Sequence, residues 1–225
     1  LSRLQDSPER YRSYYVQGIR FITSLGVPLV FFMFVDANHI VLFVLGDKWT
    51  EVVPLFRAIA PAAYLGTFNV ATGWMFLPLG RGKERLRCSF YGGLWTLVAF
   101  FIGIQWGAIG LAIAFSIGQV TKRIPQLLYA YRGTAVRLRD LGRAIWPATA
   151  AAGGAALLTF AIKASYPLTG HFYPLVAHGI VFGAVYSSIW YLLPGGKELL
   201  REIGACAQGL APARVARFFN FAGAR

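Results

Sequence analysis

Residues 46–87 read GDKWTEVVPLFRAIAPAAYLGTFNVATGWMFLPLGRGKERLR, and the fold turns on how this stretch is read. It opens with the polar turn Gly46-Asp47-Lys48-Trp49 and closes with the basic loop Gly80-Arg81-Gly82-Lys83-Glu84-Arg85-Leu86-Arg87. Between them, Val52 to Leu79 is almost wholly apolar. About 20 apolar residues carry a helix across the hydrocarbon of a bilayer, so this run predicts a membrane span. Asp47, Lys48 and Glu51 lead into it, whereas Arg81, Lys83, Arg85 and Arg87 follow it against a single Glu84. Basic loops are retained on the cytoplasmic side, so the span is expected to run from outside to inside.

The rest of the chain agrees. Of 225 residues, 56% are hydrophobic and 14% charged, with a mean hydropathy of +0.54, which excludes an ordinary water-soluble domain. A net charge of +13 raises the question of nucleic acid. The basic residues are separated by apolar runs too long for a soluble nucleic-acid surface, so that class is set aside. Cys88 and Cys206 both fall in segments assigned to the cytoplasm, where thiols stay reduced, and neither a disulfide nor a metal site is expected. Because Leu1 stands where an initiator Met would, with no signal sequence before the first span, the chain is expected to be a fragment of a longer protein.

Residues 1–20 read as a polar, basic approach helix on the cytoplasmic side. A transmembrane helical domain is expected over 21–193, with spans at 21–35, 52–79, 88–104, 108–131, 145–162 and 172–193, followed by a basic cytoplasmic tail at 194–225. Pro28 sits inside the first span, where it removes one backbone bond. Ile40 to Leu45 is too short to cross and is expected at the outer interface. On this arrangement 19 of the 22 lysines and arginines lie in inner segments, and only Lys48 and Lys163 in outer ones. That asymmetry puts both chain ends in the cytoplasm. Trp49, Trp106 and Tyr173 would mark the outer boundary, and Tyr129, Trp146, Trp190 and Tyr191 the inner one. The fold class is therefore an all-α, polytopic integral membrane protein.

Four residues stand out as candidates for substrate contact. Arg57 is a charge inside a span, but on a helix centred near Leu65 it lies about 12–13 Å from the midplane, where an arginine can also snorkel to water. Asn69 is only about 4–6 Å from that centre and must find a partner. Ala58, Ala62, Gly66 and Gly73 share its helical face, and such small residues favour helix packing over substrate contact. Ser116, Gln119 and Arg123 fall on one face of the fourth span, either as close packing above a topology-setting charge or as a polar track to a headgroup site. His39, His171 and His178 are scattered in sequence and read as ordinary polar residues. Asp36, Asp47 and Glu51 are expected to face outward. No nucleophile, phosphate loop or acidic cluster is present, so neither catalysis nor a cofactor is expected.

Several local patterns, taken together, resemble the Wzx-type polysaccharide and O-antigen flippases of the multidrug, oligosaccharidyl-lipid and polysaccharide exporter superfamily. They are Leu1-Ser2-Arg3-Leu4-Gln5-Asp6, Pro28 in the next span, Gly46-x-x-Trp49 ahead of Pro54, Gly80-Arg81 at an inner end, and Gly107-x-x-Gly110-x-Ala112. The resemblance covers Leu1 to about Ile162. It implies two helical lobes around a cavity that opens alternately to either face, this chain being most of the C-terminal lobe plus two trailing helices. The work implied is movement of an undecaprenyl-diphosphate-linked oligosaccharide across the bacterial inner membrane, among membrane lipids and other glycan-assembly membrane proteins. No binding residue carries over from the family. The competing expectations are another exporter of the superfamily, for peptidoglycan precursor or drugs, and a membrane-bound glycan-assembly enzyme. A drug exporter would need acidic residues buried in the spans, and none is expected here.

Overall fold

The computed structural model describes residues 8–69, 81–132, 134, 136–166, 170 and 172–193. Among these, seven α-helices follow one another: α1 (Pro8–Val35), α2 (Ala37–Leu45), α3 (Val52–Thr67), α4 (Gly82–Gly103), α5 (Gly107–Tyr131), α6 (Leu138–Ser165) and α7 (Phe172–Leu192). Four helical stretches are long and apolar enough to cross a membrane: Tyr11–Val35, Gly82–Tyr131, Leu138–Ser165 and Phe172–Leu192. The second turns back at Ile104–Trp106, where Gly107 takes φ +68°, so α4 and α5 run side by side in opposite directions. The protein is all-α and passes the membrane several times.

Two boundaries differ from expectation. Approach helix and first span are one element, because no breaker separates Pro8 from Val35 and Pro28 leaves the helix unbroken. The carbonyl that a proline at 28 orphans is that of Ser24, four residues back. The Tyr186 hydroxyl of α7 donates to it at 2.7 Å, so the bond lost within α1 is replaced across the bundle. The expected span 52–79 is interrupted: α3 ends at Thr67 and Phe68 leaves helical geometry at φ −108°, ψ 10°. Residues 70–80, with Gly73 and Gly80, lie outside the described residues, as do His171, Cys206 and the tail 194–225.

The helices pack as a row in which α1 lies between α3 and α6, α3 continues to α5 and then α4, and α6 continues to α7. Small residues set the spacing. Ala144, Ala148, Ala151, Ala152, Ala155 and Ala156 are buried along α6, and they let Val27 and Val35 of α1 and Phe182 and Trp190 of α7 approach. Trp190, expected at the inner boundary, is part of this core at 4% exposure. In the α4/α5 turn the approach is tighter still: a methyl group at Gly103 would sit 2.6 Å from the Ala114 side chain and 2.8 Å from the Gly110 carbonyl. Outward, α4 and α5 expose Phe90, Tyr91, Leu94, Leu97, Phe101, Ile113 and Ile117, the surface of a helix pair that faces lipid or another apolar body.

The two ends of the bundle along the helix axes differ. At one end Tyr11, Tyr15 and Ile19 of α1 meet Ala130, Tyr131, Val136, Leu141 and Ala144. Around them stand Arg12, Arg81 and Arg132: Arg12 grips Asp140 at 2.8 and 2.5 Å, and Arg81 donates to the Arg132 carbonyl at 3.1 Å. This is the basic end. At the opposite end α1 stops at Asp36, and α2, the start of α3, the end of α6 and the start of α7 converge.

Candidate functional site

The residues nominated from sequence separate into two groups. Arg57 is exposed on α3, about 15 Å along the helix from Thr67, and faces away from the bundle. Asn69 and Arg123 come together: the guanidinium of Arg123 donates through Nη1 to Asn69 Oδ1 and, at 3.2 Å, to Gln126 Oε1. Arg123 is buried at 5% exposure on α5, and its Nε has no partner among the described residues. Gln119, one turn earlier, is half-buried and receives none of these bonds. On the same face Ser116 donates to the Ala58 carbonyl at 2.5 Å and clamps α5 onto α3. The expected alignment of Ser116, Gln119 and Arg123 therefore serves two ends: the serine packs, and the arginine holds a charge in the interior.

The reason for that charge lies in its neighbours. Asn69 and Gln126 are neutral amides, and an amide carbonyl satisfies a guanidinium N–H without neutralising it. Gln126 also lines a groove of about 610 Å³ between α4 and α5, with Arg87, Tyr91, Trp95, Lys122 and Tyr129. The Lys122 ammonium crosses the groove to donate to Thr96 Oγ1 at 2.9 Å, and Trp95 donates to Thr121 Oγ1 at 2.9 Å. An open pocket with two cations, three aromatic rings and a third cation behind its wall suits an anionic headgroup on an apolar tail.

A second centre was not legible in the sequence. Asp36, expected to face outward, is fully buried, and Asp140 is buried at 6% exposure; both lie just outside the spans expected at 21–35 and 145–162. The helix boundary accounts for Asp36. With α1 ending at Val35, the next residue turns back under α2 and points at α6 and α7. Its Oδ1 meets His39 Nδ1 at 2.6 Å, Lys163 Nζ at 2.9 Å and His178 Nδ1 at 3.1 Å. Burial alone would push the carboxyl up, but the hydrogen bonds and charges of His39 and Lys163 outweigh it and hold the group below the usual carboxylate range. The two imidazole rings lie 5.4 Å apart, and Lys163 Nζ is 3.3 Å from His39 Nδ1. Of the three histidines read as scattered, two thus share one carboxylate 142 residues away from His178. A polar residue at spacing 36, 39 is compatible with one helical turn; nothing local pointed to 163 or 178.

The family model described as "Polysaccharide biosynthesis protein" matches residues 1–54. Two curated relatives match more than half of the chain. The "Lipopolysaccharide biosynthesis protein WzxC" of Escherichia coli (strain K12) is 22% identical over 124 residues, 55% of this chain and 25% of that protein. The "Uncharacterized membrane protein in cps region" of Klebsiella pneumoniae is 24% identical over 120 residues, 53% of this chain and 25% of that protein. The matched part of the chain thus spans about a quarter of the length of these relatives. No solved structure matches it.

Proposed function

We infer, from a kinship with the Wzx-type polysaccharide flippases that the family match and both relatives support, that this chain is part of a flippase. Its cargo would be an undecaprenyl-diphosphate-linked oligosaccharide, carried from the cytoplasmic to the outer leaflet of the bacterial inner membrane. The observation that carries the reading is Arg123: a buried guanidinium with only amide partners among the described residues, behind the wall of a basic and aromatic groove. A diphosphate brings the negative charge that this guanidinium lacks, and a sugar or isoprenoid brings the apolar faces that Tyr91, Trp95 and Tyr129 would cover.

The lysine and arginine asymmetry sets the orientation of the reading, with the basic end and both chain ends in the cytoplasm. The groove then opens at the leaflet where the lipid-linked glycan is made. Asn69 and Gln126 hold Arg123 in place, while Arg87 and Lys122 receive the headgroup. Gln119 lies one turn farther along the same path, and Arg57, at the other end of α3, would act late. The chain moves its cargo and does not alter it. The buried acids do not favour export of cationic drugs, because Asp36 and Asp140 are each already paired with a cation.

The test is made in cells that carry the full-length gene with Arg123→Gln. Complete lipid-linked oligosaccharide accumulating on the cytoplasmic leaflet, with normal protein levels in the membrane, is the expected result. A truncated or chemically altered glycan would mean that the protein acts in synthesis, and an unchanged distribution would remove Arg123 from the path.

A further inference from the structure

We propose that Asp36, His39 and His178 form a binding site for a divalent transition-metal ion of the zinc type, and that the Lys163 ammonium is the cation that fills it in the metal-free protein. One carboxylate and two imidazoles are a donor set suited to zinc and its neighbours, and unsuited to calcium or magnesium, which select oxygen. Each of the three side chains offers a ligand atom, all lie within 4.8 Å of one another, and all three residues are buried. Around a tetrahedral ion with bonds of about 2.0–2.2 Å, ligand atoms stand about 3.4 Å apart, so from separations of up to 4.8 Å the site needs a contraction of about 1.4 Å at most.

Two further observations point to a ligand. Asp36 Oδ2 and His178 Nε2 are both buried and without a hydrogen-bond partner among the described residues. A neutral imidazole that donates from Nδ1 to Asp36 keeps a lone pair at Nε2, so both orphaned atoms are acceptors. Asp36 Oδ2 can ligate an ion as it stands, and His39 and His178 would ligate through the Nδ1 atoms that now meet Oδ1, with the imidazole proton then carried on Nε2. The second observation is Lys163 itself. Its Nζ lies 2.9 Å from Asp36 Oδ1 and 3.3 Å from His39 Nδ1, a positive charge on a flexible stem placed among the ligands. The Lys163 side chain is 23% exposed, whereas that of Asp36 is wholly buried, so the ammonium can swing outward while the carboxylate stays. Metal binding is then an exchange of one cation for another.

The site joins the α1/α2 junction to the end of α6 and the start of α7, far from the Arg123 centre, and it stands whether or not the flippase reading does. The experiment uses the full-length protein in detergent, stripped with chelator and dialysed against zinc, with bound metal counted by mass spectrometry and cobalt substitution read by its visible absorption. Wild type is expected to retain one zinc per chain. Lys163→Met, which leaves all three ligands in place, is expected to bind it about tenfold more tightly, since the competing positive charge is gone. His178→Gln is expected to lose it while eluting as the same folded species. Absence of zinc from the Lys163→Met protein overturns the proposal, and so does equal zinc in the His178→Gln protein, which would place the metal elsewhere on the chain.

Discussion

Two of the buried charge centres, at Asp36 and at Arg123, are built on opposite plans. At the end of the bundle where α1 stops, Asp36 sits among Lys163, His39 and His178, so the charge taken out of water is met by one of opposite sign. Near the basic end, Arg123 is buried to a similar degree and has only Asn69 and Gln126 for company among the described residues. Taking a charge out of water costs several kcal/mol, and a partner of opposite sign recovers much of it. The Asp36 centre therefore carries its counter-charge within the protein and ties three helices together. The Arg123 centre is incomplete, and an incomplete charge is what a protein keeps where a charged ligand is to arrive.

The two centres are expected to respond oppositely to neutralisation. Asp36→Ala leaves Lys163 partly buried beside two imidazoles without a counter-charge, and thermal unfolding in detergent is expected to show a loss of about 3–5 kcal/mol. Restoring neutrality recovers most of that: the double variant Asp36→Asn with Lys163→Met is expected to be at least about 1–2 kcal/mol more stable than the sum of the single changes predicts. A smaller effect belongs to the bond that repairs Pro28. Tyr186→Phe orphans the Ser24 carbonyl and is expected to cost about 0.5–1.5 kcal/mol, read from the same unfolding curves. Arg123→Met replaces a lone buried cation by an apolar side chain of similar length, and is expected to leave stability unchanged or raised by about 1 kcal/mol while glycan-lipid export falls. A marked destabilisation there would show that Arg123 has an anionic partner within the protein, and the contrast would fail. Last, Arg57→Ala touches an exposed side chain and is expected to move stability by less than about 0.5 kcal/mol. Whether export falls with it decides if Arg57 is more than an anchor.

Polar residues with one geometric option were legible. Asn69 lies in an apolar run and has to find a partner inside the bundle, whereas Arg123, after a small-residue face, reads either as a topology-setting charge or as part of a polar track to a headgroup site. Their mutual bond was not legible, because they are 54 residues apart and a helix period fixes only which side a residue faces. The depths expected of Arg57 and Asn69 rest on one straight helix to Leu79, whereas α3 ends at Thr67. Apolar composition sets where a chain can cross, and it carries no record of where a helix breaks inside the crossing. Asp36 was misread for a related reason. A carboxylate at the end of an apolar run looks like a boundary residue facing water, and nothing within several residues reveals that a lysine and a histidine on two later helices turn toward it.

By itself, the sequence determined that this chain is helical and lies in a membrane, roughly where it crosses, and which ends carry the positive charge. Those properties depend on local sums of hydrophobicity and charge, which the solvent reads directly. Only the tertiary structure decided that Asp36, His39, Lys163 and His178 form one centre and that Arg123 stands without a counter-ion among the described residues. Both follow from which helices are neighbours, and in a bilayer that is settled by the fit of small side chains such as those of α6, with differences in packing too fine for a pattern of apolar and polar letters to record.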